Sequence, residues 1–226
     1  MKYITILFAI TFSYSITKAK DINNEIGVYS DISIIHGKPA GFIGLGISTN
    51  YNLNFHKYLS WGNEFVINHG FRLGYNAVAY GVADIMVNYV KKNPISTNNI
   101  IFSSFLIGNL FIKNNNTLSV GLGITTRANF DKCNFYYGTP QMDPITGEDK
   151  IINYYYEKKI VTNLGWGLIT NISYKHVIKE NLSFNTEFGW RGYIGELNKK
   201  NYSDRASGSG ILYFKFGCIF NLKNKK

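Results

Sequence analysis

From Ile211 to Leu222 the chain alternates with a strictness that few folds accept. Leu212, Phe214, Phe216, Cys218, Phe220 and Leu222 share one parity; Tyr213, Lys215, Gly217 and Asn221 share the other, with Ile219 the exception. Successive side chains of a strand point to opposite faces, so one face here is wholly apolar and the other carries Lys, Gly and Asn. Hydrocarbon outside and polar matter inside would suit that division. A soluble sandwich also alternates, but its polar face meets water and is usually richer in charge.

The pattern recurs. Ile43, Leu45, Ile47, Tyr51 and Leu53 oppose Gly44, Gly46, Ser48, Asn50 and Asn52; Leu118, Val120, Leu122, Ile124 and Phe130 oppose Ser119, Gly121, Gly123, Thr125, Arg127 and Asn129. In Leu164–Tyr174, Leu164, Trp166, Leu168, Ile172 and Tyr174 oppose Gly165, Gly167, Asn171 and Ser173. In Leu182–Ile194, Leu182, Phe184, Phe188, Trp190 and Ile194 oppose Ser183, Asn185, Glu187, Gly189 and Arg191. Segments of about ten residues suffice to cross a bilayer as tilted strands. The 17 Tyr, 16 Phe and 22 Gly belong to a β protein rather than a helical one. Mean hydropathy is −0.10, and no apolar run reaches the roughly 18 residues of a spanning helix.

The first residues read as an address. Lys2 precedes an apolar run, Ile4–Ile16, and Thr17-Lys18-Ala19 ends on a small residue, so residues 1–19 are expected to be a secretory signal peptide and 20–226 the mature domain. Losing Lys2 and Lys18 lowers the net charge from +10 to +8. A basic exported chain favours anionic headgroups, and no nucleic-acid partner is expected.

Connections alternate in length. Phe55–Tyr58, Lys113–Asn116 and Val177–Asn181 are tight polar turns, whereas Ile35–Ala40, Phe71–Asn99, Asp131–Lys158 and Leu197–Gly210 are longer joints. Short turns on one rim and long loops on the other are the habit of a transmembrane barrel. The expected fold is an all-β, eight-stranded antiparallel barrel with strands near 25–35, 41–54, 59–70, 100–113, 117–130, 159–176, 181–196 and 210–222. Residues 74–91 also read as β; they either extend the flanking strands or add a hairpin and make ten.

On these features the mature chain resembles the small bacterial outer-membrane β-barrels, the class that holds the OmpA transmembrane domain, OmpX, OmpW and the barrel domains of Bacteroidetes. In that class the last strand carries a polar-x-Gly-x-x-aromatic-x-hydrophobic signal for the barrel-insertion machinery. Lys215, Gly217, Phe220 and Leu222 occupy those positions here, followed by the tail Lys223–Lys226. So short a tail does not carry over the tethering role of OmpA. The resemblance implies the cell outer membrane, with its lipids and lipopolysaccharide and the barrel-assembly machinery as partners.

Strand parity places Asp31, Glu64, Arg72, Arg127, Lys175, Glu187, Arg191 and Lys215 on inward faces. In a lumen barely wider than its side chains, such charges are expected to pair as a structural plug, since unpaired buried charge is costly; an ion path is the alternative. Gly44-x-Gly46, Gly121-x-Gly123 and Gly165-x-Gly167 look like phosphate-loop fragments, but none opens a helix. His36 and His69, with Ser33, Asp31 and Glu64 nearby in sequence, raise the Ser/His/acid chemistry of acyl transfer without matching any motif. His56 and His176 sit by short turns. No cofactor or metal site, and no catalytic residue, is expected. Tyr51, Phe55, Tyr58, Trp61, Tyr174 and Phe184 cluster where an inner-leaflet girdle would lie. Tyr136, Tyr137, Tyr154, Tyr155 and Tyr156 enrich the Asp131–Lys158 loop, which either binds a protein or glycan or folds over the barrel mouth. Cys133 and Cys218 lie too far apart for a disulfide.

The function expected is a non-enzymatic, structural or surface-interacting membrane protein. Alternatives are a small gated channel, a lipid A-modifying enzyme, and a secretion-apparatus component of the PorT kind.

Overall fold

The computed structural model describes residues 23–36, 42–72, 79–81, 89–142, 149–196 and 210–222. Nine strands lie among them: β1 (Asn23–His36), β2 (Phe42–His56), β3 (Leu59–Arg72), β4 (Ala79–Gly81), β5 (Tyr89–Lys113), β6 (Asn116–Met142), β7 (Asp149–Lys179), β8 (Leu182–Glu196) and β9 (Gly210–Leu222). Every pairing is antiparallel. The hydrogen-bonded order β3-β2-β1-β9-β8-β7-β6-β5 returns on itself through β3–β5, so eight strands close a ring. β4 pairs only with the outer part of β5, at Lys92–Val90. Residues 74–91 therefore do not insert a further pair of strands into the ring, and ten gives way to eight.

The alternation seen in the sequence becomes inside and outside. Ile47 is 65% exposed and Leu122 63%, while the intervening Ser48 and Gly121 are buried. Phe214, Phe216 and Phe220 point outward beside a fully buried Lys215. A closed wall leaves no unpaired strand edge, which is what allows an apolar exterior in lipid.

At one rim, two-residue turns join β2 to β3, β5 to β6 and β7 to β8. In the β5–β6 turn Asn114 takes the left-handed conformation (φ 53°), which Asn tolerates and which primed hairpin turns use. The turns are tied to the neighbouring hairpins: Asn109 N–H donates to Tyr58 O (3.0 Å), Val177 N–H to Asn115 O (2.8 Å) and Asn221 N–H to Asn181 O (3.1 Å).

Three strands run past the expected ends. β5 begins at Tyr89 rather than 100, β6 continues to Met142, and β7 starts at Asp149. Most of the stretch expected as an Asp131–Lys158 loop is thus paired strand, with Tyr136 opposite Tyr156 and Tyr137 opposite Tyr155, and Cys133 is buried within β6. Beyond the apolar band neither face must be oily, so alternation lapses while the backbone still pairs. Twelve residues of β6 follow Phe130, roughly 40 Å of strand path. The proposed signal peptide and the tail Lys223–Lys226 fall outside the described residues.

Candidate functional site

Glu64 stands on β3, and in a ring of eight the strand opposite β3 is β8. Arg191 of β8 reaches across and gives its Nη2–H to Glu64 Oε2 at 2.9 Å. Lys215 of β9 bonds Glu64 Oε1 as well and lies 2.9 Å from Glu187 Oε1. Asp31 completes the set, its Oδ2 3.9 Å from Arg191 Nη1. Glu64, Asp31, Arg191 and Lys215 are 0–1% exposed. The pairs bolt opposite walls of the barrel together.

Register explains how they meet. Asp31 faces Lys215 across β1–β9, and Lys215 faces Glu187 across β9–β8, giving a row of alternating charge on one wall for Glu64 to approach from the other. Tyr213 donates its hydroxyl to Glu187 (2.8 Å) and Asn171 its amide (2.9 Å). The Arg191 guanidinium lies 3.7 Å from the Tyr213 ring centroid, a cation–π contact that helps offset lost hydration. Two glycines make space for the rings: Tyr213 lies over its cross-strand partner Gly189, and Tyr29 beside Gly217, where an added Cβ would come within 2.7 Å of the Tyr29 Cα.

Toward the long-loop rim, Ile35, Phe42, Val66, Ile101 and Ile211 form a buried apolar layer with Tyr193 packed against it. Arg127 sits over the Tyr193 ring at 4.1 Å. Asn99, Asn68 and Ser33 make a hydrogen-bonded chain at 2.8 and 2.9 Å. Toward the short-turn rim lies a cavity of about 50 Å³ lined by Glu25, Tyr29, Asn50, Asn52, Lys175 and Glu187 among others. There Lys175 pairs with Glu25 at 2.9 Å.

Of the eight charged residues assigned inward from sequence, Asp31, Glu64, Glu187, Arg191 and Lys215 come together; Arg127 lies toward one end of the lumen and Lys175 toward the other. Arg72 pairs through its backbone with Phe42, and its side chain falls outside the described residues. Two inward acids were missed. Glu25 shares the parity of Asp31 and was legible on that ground; Asp131 was hidden by being counted as loop, although it continues the inward face of Arg127 and Asn129.

The described histidines do not assemble with these acids. His69 points outward, its Nδ1 2.5 Å from Asn98 Oδ1 and its ring edge-on to Phe71, whereas Ser33, Asp31 and Glu64 point inward through the same wall. The side chain of His36 lies outside the described residues. His176 meets Asn116 (2.8 Å) beside a turn. Among the described residues no three His, Cys, Asp or Glu side chains are grouped to hold a metal ion. Of the four insertion-signal residues, Lys215 faces the lumen, Gly217 is half-buried, and Phe220 and Leu222 face outward.

No protein-family model matches the chain, and no curated protein matches it in sequence. Solved structures do. Neisserial surface protein A is similar with a TM-score of 0.50 at 8% identity, covering 88% of this chain and 97% of that one. The fold is that of the small bacterial outer-membrane β-barrels. Also similar are Ail, the attachment invasion locus protein of Yersinia pestis, in complex with the heparin analogue sucrose octasulfate (TM-score 0.48, 8% identity, 89% and 99% covered), and the outer membrane protein OprG from Pseudomonas aeruginosa (0.48, 8%, 89% and 97%).

Proposed function

We propose that this chain is an integral outer-membrane protein that acts through the surface it presents outside the bilayer, and neither conducts solutes nor catalyses a reaction. One observation carries this reading: the Glu64–Arg191 and Glu64–Lys215 pairs cross the lumen, backed by an apolar layer, while β5, β6 and β7 continue well past the membrane band. The path through the barrel is filled and the wall outside it is extended. Export by residues 1–19 and insertion through the assembly machinery, which would read Lys215, Gly217, Phe220 and Leu222, bring it to the outer membrane. Lipid and lipopolysaccharide then surround the outward residues, and an extracellular protein or glycan meets the projecting hairpin.

The rival readings make different demands. A lipid A-modifying enzyme needs its base beside an acid or hydroxyl, yet His69 has the sheet between it and Glu64. A secretion component would bring partner proteins through detergent purification. A gated channel would show current that disappears when Arg127 or Glu187 is neutralised. In planar bilayers the purified protein is expected to give no steady conductance; sustained openings would overturn the closed-lumen reading. Replacing residues 133–158 by a two-residue turn is expected to leave the heat-dependent shift in gel mobility intact, because the ring closes below that segment. Loss of the shift would place the hairpin within the folding unit instead of on its surface.

A further inference from the structure

We propose that β3 carries an association face inside the bilayer, where the side-chain amide of Asn63 pairs with the same amide of a second copy of this chain. Asn63 alternates with the inward Glu64 and so stands on the outward face, between Trp61 and Phe65. Beside it across β3–β5 is Ser104, only 5% exposed although its outward neighbours Phe102 and Leu106 are 50% and 42% exposed. Trp61 gives its indole N–H to Ser104 Oγ (3.1 Å), and Ser104 gives its hydroxyl hydrogen to Asn63 Oδ1 (2.8 Å). An indole can only donate, so the chain of donors runs one way and ends at Asn63. The two N–H groups of that amide meet no acceptor among the described residues.

Depth decides what can supply one. Asn63 lies four residues along β3 from Leu59 at the short-turn rim, roughly 13 Å of strand and about 10 Å of depth at a tilt near 40°. Outward residues still nearer that rim are aliphatic or aromatic and exposed, among them Tyr58, Leu106, Leu110 and Phe111, so the amide faces hydrocarbon rather than the boundary. Hydrocarbon holds neither water nor the ester and phosphate oxygens of lipid. A hydroxyl in such a place turns back on the sheet, as Thr126 does on Phe102 O at 3.3 Å. An amide with two N–H groups beside an already paired backbone has no such retreat, and leaving it bare is costly. A second copy meets the need, because an amide is its own complement. Oδ1 keeps a lone pair after accepting from Ser104, so two facing Asn63 side chains close a reciprocal pair of N–H···O bonds. A two-fold axis along the membrane normal sets each residue opposite its counterpart at equal depth, the geometry of a self-complementary dimer. Hydrogen bonds between polar side chains join membrane segments in this way.

The inference does not rest on the closed lumen: a steady bilayer current would overturn that reading and leave the outer wall unchanged. The test uses the full-length mature protein in phospholipid vesicles, with energy transfer between donor- and acceptor-tagged copies followed as lipid dilutes them. Association is expected, and Asn63→Leu should weaken it about tenfold while leaving the heat-dependent gel shift intact, since leucine suits an outward position. Asn63→Gln, which keeps the amide, should stay within about threefold of the parent. Thr186→Leu, on the opposite wall in β8, should change nothing. With Cys218→Ala in both, a short bismaleimide is expected to link copies carrying Phe65→Cys and not copies carrying Phe188→Cys. Monomers at every dilution, association that Asn63→Leu leaves untouched, or equal linking from the two walls would defeat the proposal.

Discussion

Glu64→Ala is expected to destabilise the folded barrel by about 3–5 kcal/mol, the cost of removing one partner from a buried ion pair. Glu64 is the hub: it receives both Arg191 and Lys215 from across the lumen, so its loss leaves two buried cations to the remaining acids. Arg191→Met should cost less, because Glu64 keeps Lys215 and the methionine fills part of the vacated volume. Urea unfolding, followed by disappearance of the compact gel form, measures both. Equal losses, or a neutral Glu64→Ala, would show that the crossing pairs are not what holds the walls together.

The second large effect lies on the other face. Ile47, near the middle of β2 and 65% exposed, points into hydrocarbon if the outward surface is a membrane surface. Ile47→Arg is then expected to cost about 2–4 kcal/mol, the penalty measured for a cationic side chain at the midplane of a transmembrane barrel. Lys158→Ala, on an exposed position of the projecting part of β7, should change stability by less than about 0.5 kcal/mol. On a soluble protein an arginine at so exposed a position would be nearly free. An unchanged unfolding midpoint for Ile47→Arg would therefore remove the bilayer from the account altogether.

The barrel was legible because hydrocarbon enforces period two: with no water to accept a misplaced polar group, the outward residues Leu118, Val120, Leu122 and Ile124 had to declare themselves. Past Asp131 that pressure ends, and β6 continues through Lys132, Asn134 and Pro140 with nothing in hydropathy to announce it. Parity likewise separated inward from outward residues and so placed Asp31, Glu187 and Lys215 on one face. Parity says nothing about depth or about which strands stand opposite. That Glu64 meets Arg191, 127 residues away, follows only from the ring order and the registers around it.

The seam of the cylinder has a consequence for biogenesis. β1 pairs with β9 along nearly its whole length, so the last of the described strands covers the exposed edge of the first. Until Gly210–Leu222 arrives, every partial product carries two open margins, each a template for unwanted association. Closure consequently joins segments nearly two hundred residues apart, Asn24 to Leu222 at one end of the seam, the kind of long-range encounter that makes folding slow.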